Sequence, residues 1–128
     1  MLDVVYIDDE PALCRIFQRL LSRAGIEVRT FTDPHEGLRY VNEQPPKLLL
    51  CDQRMPTMSG TALFEALEVD VLFVLISGDP ATADSAPKGV TAVLPKPVSP
   101  ETLIETVNTF KKDVRRSGET QIKYIVTV

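Results

Sequence analysis

Short apolar runs rich in β-branched residues alternate with stretches whose apolar residues recur every three or four positions. The first kind predicts buried strands and the second amphipathic helices. Residues 2–7 read as a strand. Residues 11–24 read as a helix, with Leu13, Ile16, Phe17, Leu20 and Leu21 on one face and Gly25 closing it. A second strand is expected over 26–31. Asp33 then reads as a helix cap, Pro34 suits the first helical position and Glu36 completes a capping box. Leu38 and Val41 supply that helix's apolar face, and Pro45-Pro46 ends it. Strands are expected over 47–51, 71–76 and 90–94, and a short helix over 61–67. Ser99-Pro100-Glu101 opens a final helix carrying Leu103, Ile104, Val107 and Phe110.

Strands that are apolar throughout are buried on both faces, as in a parallel sheet flanked by helices. Strand–helix alternation with right-handed crossovers predicts an α/β, doubly wound, five-stranded parallel sheet in the flavodoxin-like order 2-1-3-4-5. Such sheets bind ligands beyond the carboxyl ends of their strands, at the switch point between strands one and three.

Polar residues begin where each apolar run stops. Asp8-Asp9-Glu10 follows the first strand, Asp52 the third, Ser77-Gly78 the fourth and Lys96-Pro97 the fifth. Carboxylates gathered on neighbouring strand ends repel one another, by ~4 kcal/mol for a pair about 4 Å apart at an effective dielectric near 20. Such a cluster calls for a cation. Oxygen ligands in a half-open site suit Mg²⁺. Lys96 supplies a second positive charge and Ser77 a hydroxyl, so the set matches the needs of a transferring phosphoryl group: a carboxylate nucleophile, a metal and donors for the remaining oxygens.

Over about residues 2–112 the sequence resembles a receiver domain of the two-component response-regulator type. The resemblance rests on Asp8-Asp9, Asp52, Met55-Pro56, Gly60, Ser77 with Gly78, and Lys96-Pro97, in order. It implies that Asp52 accepts a phosphoryl group from a sensor histidine kinase or a histidine phosphotransfer protein. It implies a Mg²⁺ site formed by Asp8, Asp9, the Asp52 side chain and the backbone carbonyl of Arg54, with Asp8 acting through a metal-bound water. Lys96 and Ser77 then contact the phosphoryl oxygens, aided by N–H groups near Gln53 and Gly78. A cis peptide between Lys96 and Pro97 is also implied. The expected product is a switch rather than an enzyme, read out by a downstream protein target, with a homodimer as a further option.

Three features depart from that pattern. Val93, three positions before Lys96, stands where such domains often carry Tyr or Phe. Ser77 and Lys96 are 19 positions apart, which is short, and residues 79–87 contain two prolines and no amphipathic stripe. The fourth helix is therefore expected to be one or two turns long, or a loop. Finally, residues 1–116 read as the receiver and 117–128 as a tail. Gln121-Ile122-Lys123-Tyr124-Ile125-Val126-Thr127-Val128 has strong β-propensity. It is expected to add a strand to a sheet edge, to pair with another copy, or to begin a further domain.

Charge and composition narrow the partners. The formal net charge is −4, which argues against nucleic-acid binding through general basicity. The sequence holds no apolar run near the roughly 20 residues of a membrane span and opens without a basic leader, so a cytoplasmic protein is expected. Cys14 and Cys51 have no metal or redox spacing and read as reduced, buried small hydrophobes. His35 reads as a surface residue, and the basic residues Lys111, Lys112, Arg115 and Arg116 as a solvated helix end. A phosphatase of the haloacid-dehalogenase type needs an acid two residues after its nucleophile, where Arg54 stands. A dinucleotide-binding module needs a glycine-rich turn where Asp8-Asp9-Glu10 stands. The competing reading is a pseudo-receiver that serves as a constitutive interaction module.

Overall fold

The structure is a computed structural model and describes residues 2–111 and 124–125. Its strands are β1 (Val4–Ile7), β2 (Val28–Phe31), β3 (Leu48–Asp52), β4 (Leu72–Ser77), β5 (Ala92–Pro95) and β6 (Tyr124–Ile125). Its helices are α1 (Pro11–Arg23), α2 (Pro34–Glu43), α3 (Gly60–Ala66), α4 (Thr82–Ser85) and α5 (Pro100–Lys111). The sheet runs β2-β1-β3-β4-β5-β6 and every pairing is parallel. The five-stranded order expected from the alternation is thus the order found.

The three central strands β1, β3 and β4 are buried at every position. One apolar cluster packs Tyr6, Leu48, Leu50, Val74 and Leu94 against α1 and α5. The other packs Ile7, Leu49, Cys51, Phe73 and Leu75 on the opposite face of the sheet. Alternate residues of one strand feed the two clusters, which is why these strands read as unbroken apolar runs.

Several boundaries and faces differ from the sequence reading, each for a local reason. Asp3 leaves the first strand's pattern to accept the Glu27 N–H at 2.9 Å and to pair with Lys47 at 3.3 Å. β5 starts after Thr91, because the Thr91 hydroxyl accepts the Phe73 N–H at 2.9 Å, a donor the ladder would otherwise take. On α1 the buried residues are Cys14, Phe17 and Leu21, and Ile16 lies 51% exposed. At 100° per residue Ile16 stands well round the helix from the Cys14–Phe17–Leu21 line. Asp33 caps α2 through the His35 N–H at 2.9 Å. Ser59 caps α3 through the Ala62 N–H, and the Ser99 hydroxyl accepts the Thr102 N–H at the start of α5. His35 is exposed, and both cysteines are free and buried.

The fourth helix is a single turn, as the proline-rich, stripe-less segment implied. In the tail, Tyr124 and Ile125 pair with Ala92 and Val93 along the outer edge of β5. The readings of Lys112, Arg115, Arg116 and the rest of the tail lie outside the described residues. Among the described residues no helix is long and apolar enough to cross a membrane.

Candidate functional site

Four loops meet at the carboxyl ends of β1, β3, β4 and β5. The ladder continues past the strands and fixes them. The Asp8 N–H donates to the Phe31 carbonyl at 3.0 Å, the Gln53 N–H to Ile76 at 2.8 Å and the Lys96 N–H to Ser77 at 2.9 Å. Each polar side chain is thereby placed by buried backbone rather than by a free loop. The peptide between Lys96 and Pro97 is cis.

Asp8 is fully buried. The Tyr6 phenol donates to its Oδ2, and the Glu10 N–H donates to its Oδ1 at 3.0 Å. Tyr6 in turn stacks on Phe17 with ring centroids 4.4 Å apart. Burial, and then the Asp8 carboxylate it bonds, push the Tyr6 phenol far above its usual range and keep it a donor. Asp8, Asp9 and Asp52 each present a carboxylate oxygen within 4.8 Å of the other two.

Asp52 closes β3 and is 2% exposed. Its Oδ1 lies 2.6 Å from Lys96 Nζ yet makes no well-directed hydrogen bond. Burial raises the Asp52 carboxyl above its ordinary value; Lys96 opposes that, and Asp8 and Asp9 add to it. Burial disfavours the charged form of Lys96, but its contact with Asp52 outweighs this and holds its ammonium above its ordinary value. A buried carboxylate beside two further carboxylates, with one lysine to offset three acids, fits an oxygen-ligated divalent cation.

A cleft of about 550 Å³ opens above Asp52, lined also by Arg54, Met55, Ser77, Thr82 and Lys96. The Arg54 side chain is exposed. Gly60 lets the loop after β3 return closely: an added Cβ there would stand 2.5 Å from Leu75 Cδ1 and 2.7 Å from the Asp52 carbonyl oxygen. Gln53 locks the loop from the other side, its Oε1 accepting the Thr61 N–H at 2.9 Å.

The Ser77 hydroxyl is buried. It accepts the Asp79 N–H at 3.0 Å and shares a 2.8 Å hydrogen bond with the Thr82 hydroxyl. Val93 is buried in the cluster that holds Met55, Leu63 and Ala83. The structure brings Asp8, Asp9, Asp52, Arg54, Ser77 and Lys96 together at the strand ends, and adds two residues the sequence did not single out. Tyr6 looked like one more apolar strand residue, although a buried phenol usually finds a hydrogen-bond partner. Thr82 lies in a segment without periodicity, where no signal marks it.

Comparison with known proteins agrees with this arrangement. The family model of the response regulator receiver domain matches residues 4–108. The chain is 30% identical over 123 residues to the transcriptional regulatory protein ZraR of Salmonella typhimurium, covering 91% of this chain and 28% of that protein. It is 32% identical over 107 residues to the phosphoglycerate transport system transcriptional regulatory protein PgtA of the same organism, covering 79% of this chain and 26% of that one. The chain thus spans about a quarter of the length of these relatives. Among solved structures, a response regulator receiver domain protein from Clostridium thermocellum superposes with a TM-score of 0.77 at 27% identity, covering 84% of this chain and 92% of that one. The receiver domain of NtrX from Brucella abortus gives 0.76 at 26% identity, with 87% and 99% covered. By fold, by the order of its strand-end residues and by the extent of the family match, this chain belongs to the response regulator receiver domain family of two-component signalling.

Proposed function

We propose that Asp52 is the phosphoryl acceptor of this receiver, and that Asp8, Asp9, Asp52 and the backbone carbonyl of Arg54 hold Mg²⁺ while it accepts. The observation that carries the reading is Asp52 Oδ1: buried at the floor of the cleft, without a directed hydrogen bond, and facing Lys96 Nζ at 2.6 Å. An oxygen so placed can attack a phosphorus entering from the cleft as Lys96 turns from it to the phosphoryl group. A bond forms from that oxygen to phosphorus, and the bond from phosphorus to its donor, a phosphohistidine of a kinase or phosphotransfer protein, breaks in line with it. The electron pair of the broken bond leaves with the donor. Mg²⁺, when bound, neutralises carboxylate and phosphoryl charge together. Lys96 pairs with a phosphoryl oxygen in place of Asp52, and Ser77 donates to another.

The relatives are named as transcriptional regulatory proteins, so the downstream target we favour is a transcriptional output reached in the cytoplasm. The alternative of a constitutive interaction module is weakened by the complete set of phosphorylation groups. Incubation with acetyl phosphate and Mg²⁺, read by intact mass, tests the central claim. Wild type should gain one phosphoryl group and Asp52→Asn none; equal labelling of both, or no labelling of wild type, would overturn it.

A further inference from the structure

The hydroxyls of Ser77 and Thr82 share a hydrogen bond whose direction decides where the Ser77 proton points. A serine hydroxyl has one proton and two lone pairs. The Asp79 N–H, at 3.0 Å, fills one lone pair of Ser77 Oγ. Thr82 Oγ1 lies 2.8 Å away, and either hydroxyl of this pair can donate. The remaining neighbour, the Asp79 carbonyl oxygen, stands at 3.5 Å, the outer limit of a useful contact. If Thr82 donates, both lone pairs of Ser77 are filled, and its proton is left for an acceptor in the cleft that both residues line with Asp52 and Lys96. If Ser77 donates to Thr82, that proton is spent. Both side chains are buried, so solvent does not readily stand in for the missing partner.

We propose that Thr82 is a positioning residue. It turns the Ser77 proton toward a phosphoryl oxygen on Asp52, and through this pair of hydroxyls it ties the state of the cleft to α4. The proposal rests on the reading of Asp52 as acceptor. Thr82 is the first residue of α4, so any shift of Ser77 toward the cleft pulls on the start of that helix. The helix is one turn long, and its apolar anchorage is the small side chain of Ala83, followed by Ala86 just beyond its end. Little packing opposes its movement. In the same cluster as Ala83, β5 carries Val93, which has neither a ring nor a hydroxyl with which to carry the signal.

The test uses the full chain with Mg²⁺ and acetyl phosphate, following the rate of labelling and amide exchange across 79–88 before and after it. Thr82→Val, which removes the hydroxyl at nearly constant shape, is expected to be labelled about fivefold more slowly, the worth of one hydrogen bond. Its exchange across 79–88 should no longer respond to labelling. Thr82→Ser should stay within about twofold of wild type and keep the response. In a Ser77→Ala background, Thr82→Val should slow labelling no further, because the effect runs through Ser77. Equal slowing in that background would reveal loss of packing and overturn the proposal, as would labelling at the wild-type rate. A slowed variant whose exchange still responds would overturn the tie to α4. Should Thr82→Val fail to fold, Thr82→Ala takes its place in the same cycle. A wild type that is not labelled would remove the acceptor reading and this one together, whereas a labelled wild type with an indifferent Thr82→Val removes this one alone.

Discussion

The two sides of the cleft are built differently. On one side, Asp8 and Asp52 extend strands that are buried at every position, and the ladder runs on beyond them through Asp8 and Gln53. On the other, Ser77 closes a buried strand, but its partner Thr82 belongs to a one-turn helix between proline-containing loops. The acidic groups, which repel one another, sit at the ends of strands buried at every position. The Ser77 hydroxyl sits beside a single helical turn anchored by the small side chains of Ala83 and Ala86. A switch needs both: a fixed place for the chemistry and a neighbour that can move at little cost.

Variants on each side should separate the two. Leu50→Ala, in the middle of β3 and fully buried, is expected to lose about 2–5 kcal/mol of stability by chemical denaturation. A loss below that range would mean that the β3 side is less tightly packed than its burial indicates. Gly60→Ala should come next, at about 1–3 kcal/mol, since its Cβ would meet Leu75 and the Asp52 carbonyl. It should also slow labelling of Asp52, and a neutral result would show that the loop after β3 yields easily.

Asp52→Asn should act in the opposite direction. The folded state holds the Asp52 proton above the ordinary value of 3.8, chiefly through burial. Its stabilising share is therefore full below that value and is lost as pH rises through the folded-state value. The asparagine variant escapes this loss. Without Mg²⁺ its melting temperature should match wild type in acid and exceed it at neutral pH; a lower value at pH 7 would refute the sign. The Lys96 contact is already among the opposing influences and does not reverse it. The smallest effect is expected from Ala83→Gly in α4, within about 1 kcal/mol of wild type, with faster amide exchange confined to 79–88. A larger or wider effect would show that α4 is bound into the core.

The same contrast explains what could be read from the sequence. Asp52 and Lys96 stood out because each interrupts an apolar run, and buried parallel strands leave little freedom in where the next residue lands. The one-turn α4 was legible as a lack: two prolines and no stripe. The Ser77–Thr82 pair was not, because a hydroxyl in an aperiodic segment carries no positional signal. Ile16 misled for a related reason. Apolar identity suggested a place on the helix face, but the angle from Cys14, Phe17 and Leu21 decides it. Tyr6 was hidden inside the strand pattern, its phenol being a polar tip on an apolar body.

That phenol makes the protein its own indicator. There is no tryptophan among the 128 residues and there are only three tyrosines. One of them, Tyr6, donates directly to the carboxylate of Asp8, while Tyr40 lies away from the cleft beneath the Arg29 guanidinium. A cation drawn to Asp8 withdraws electron density from the oxygen that the phenol bonds. The near-ultraviolet tyrosine signal of the unlabelled chain should therefore report occupancy of the acidic cluster, with Tyr6→Phe as its blank.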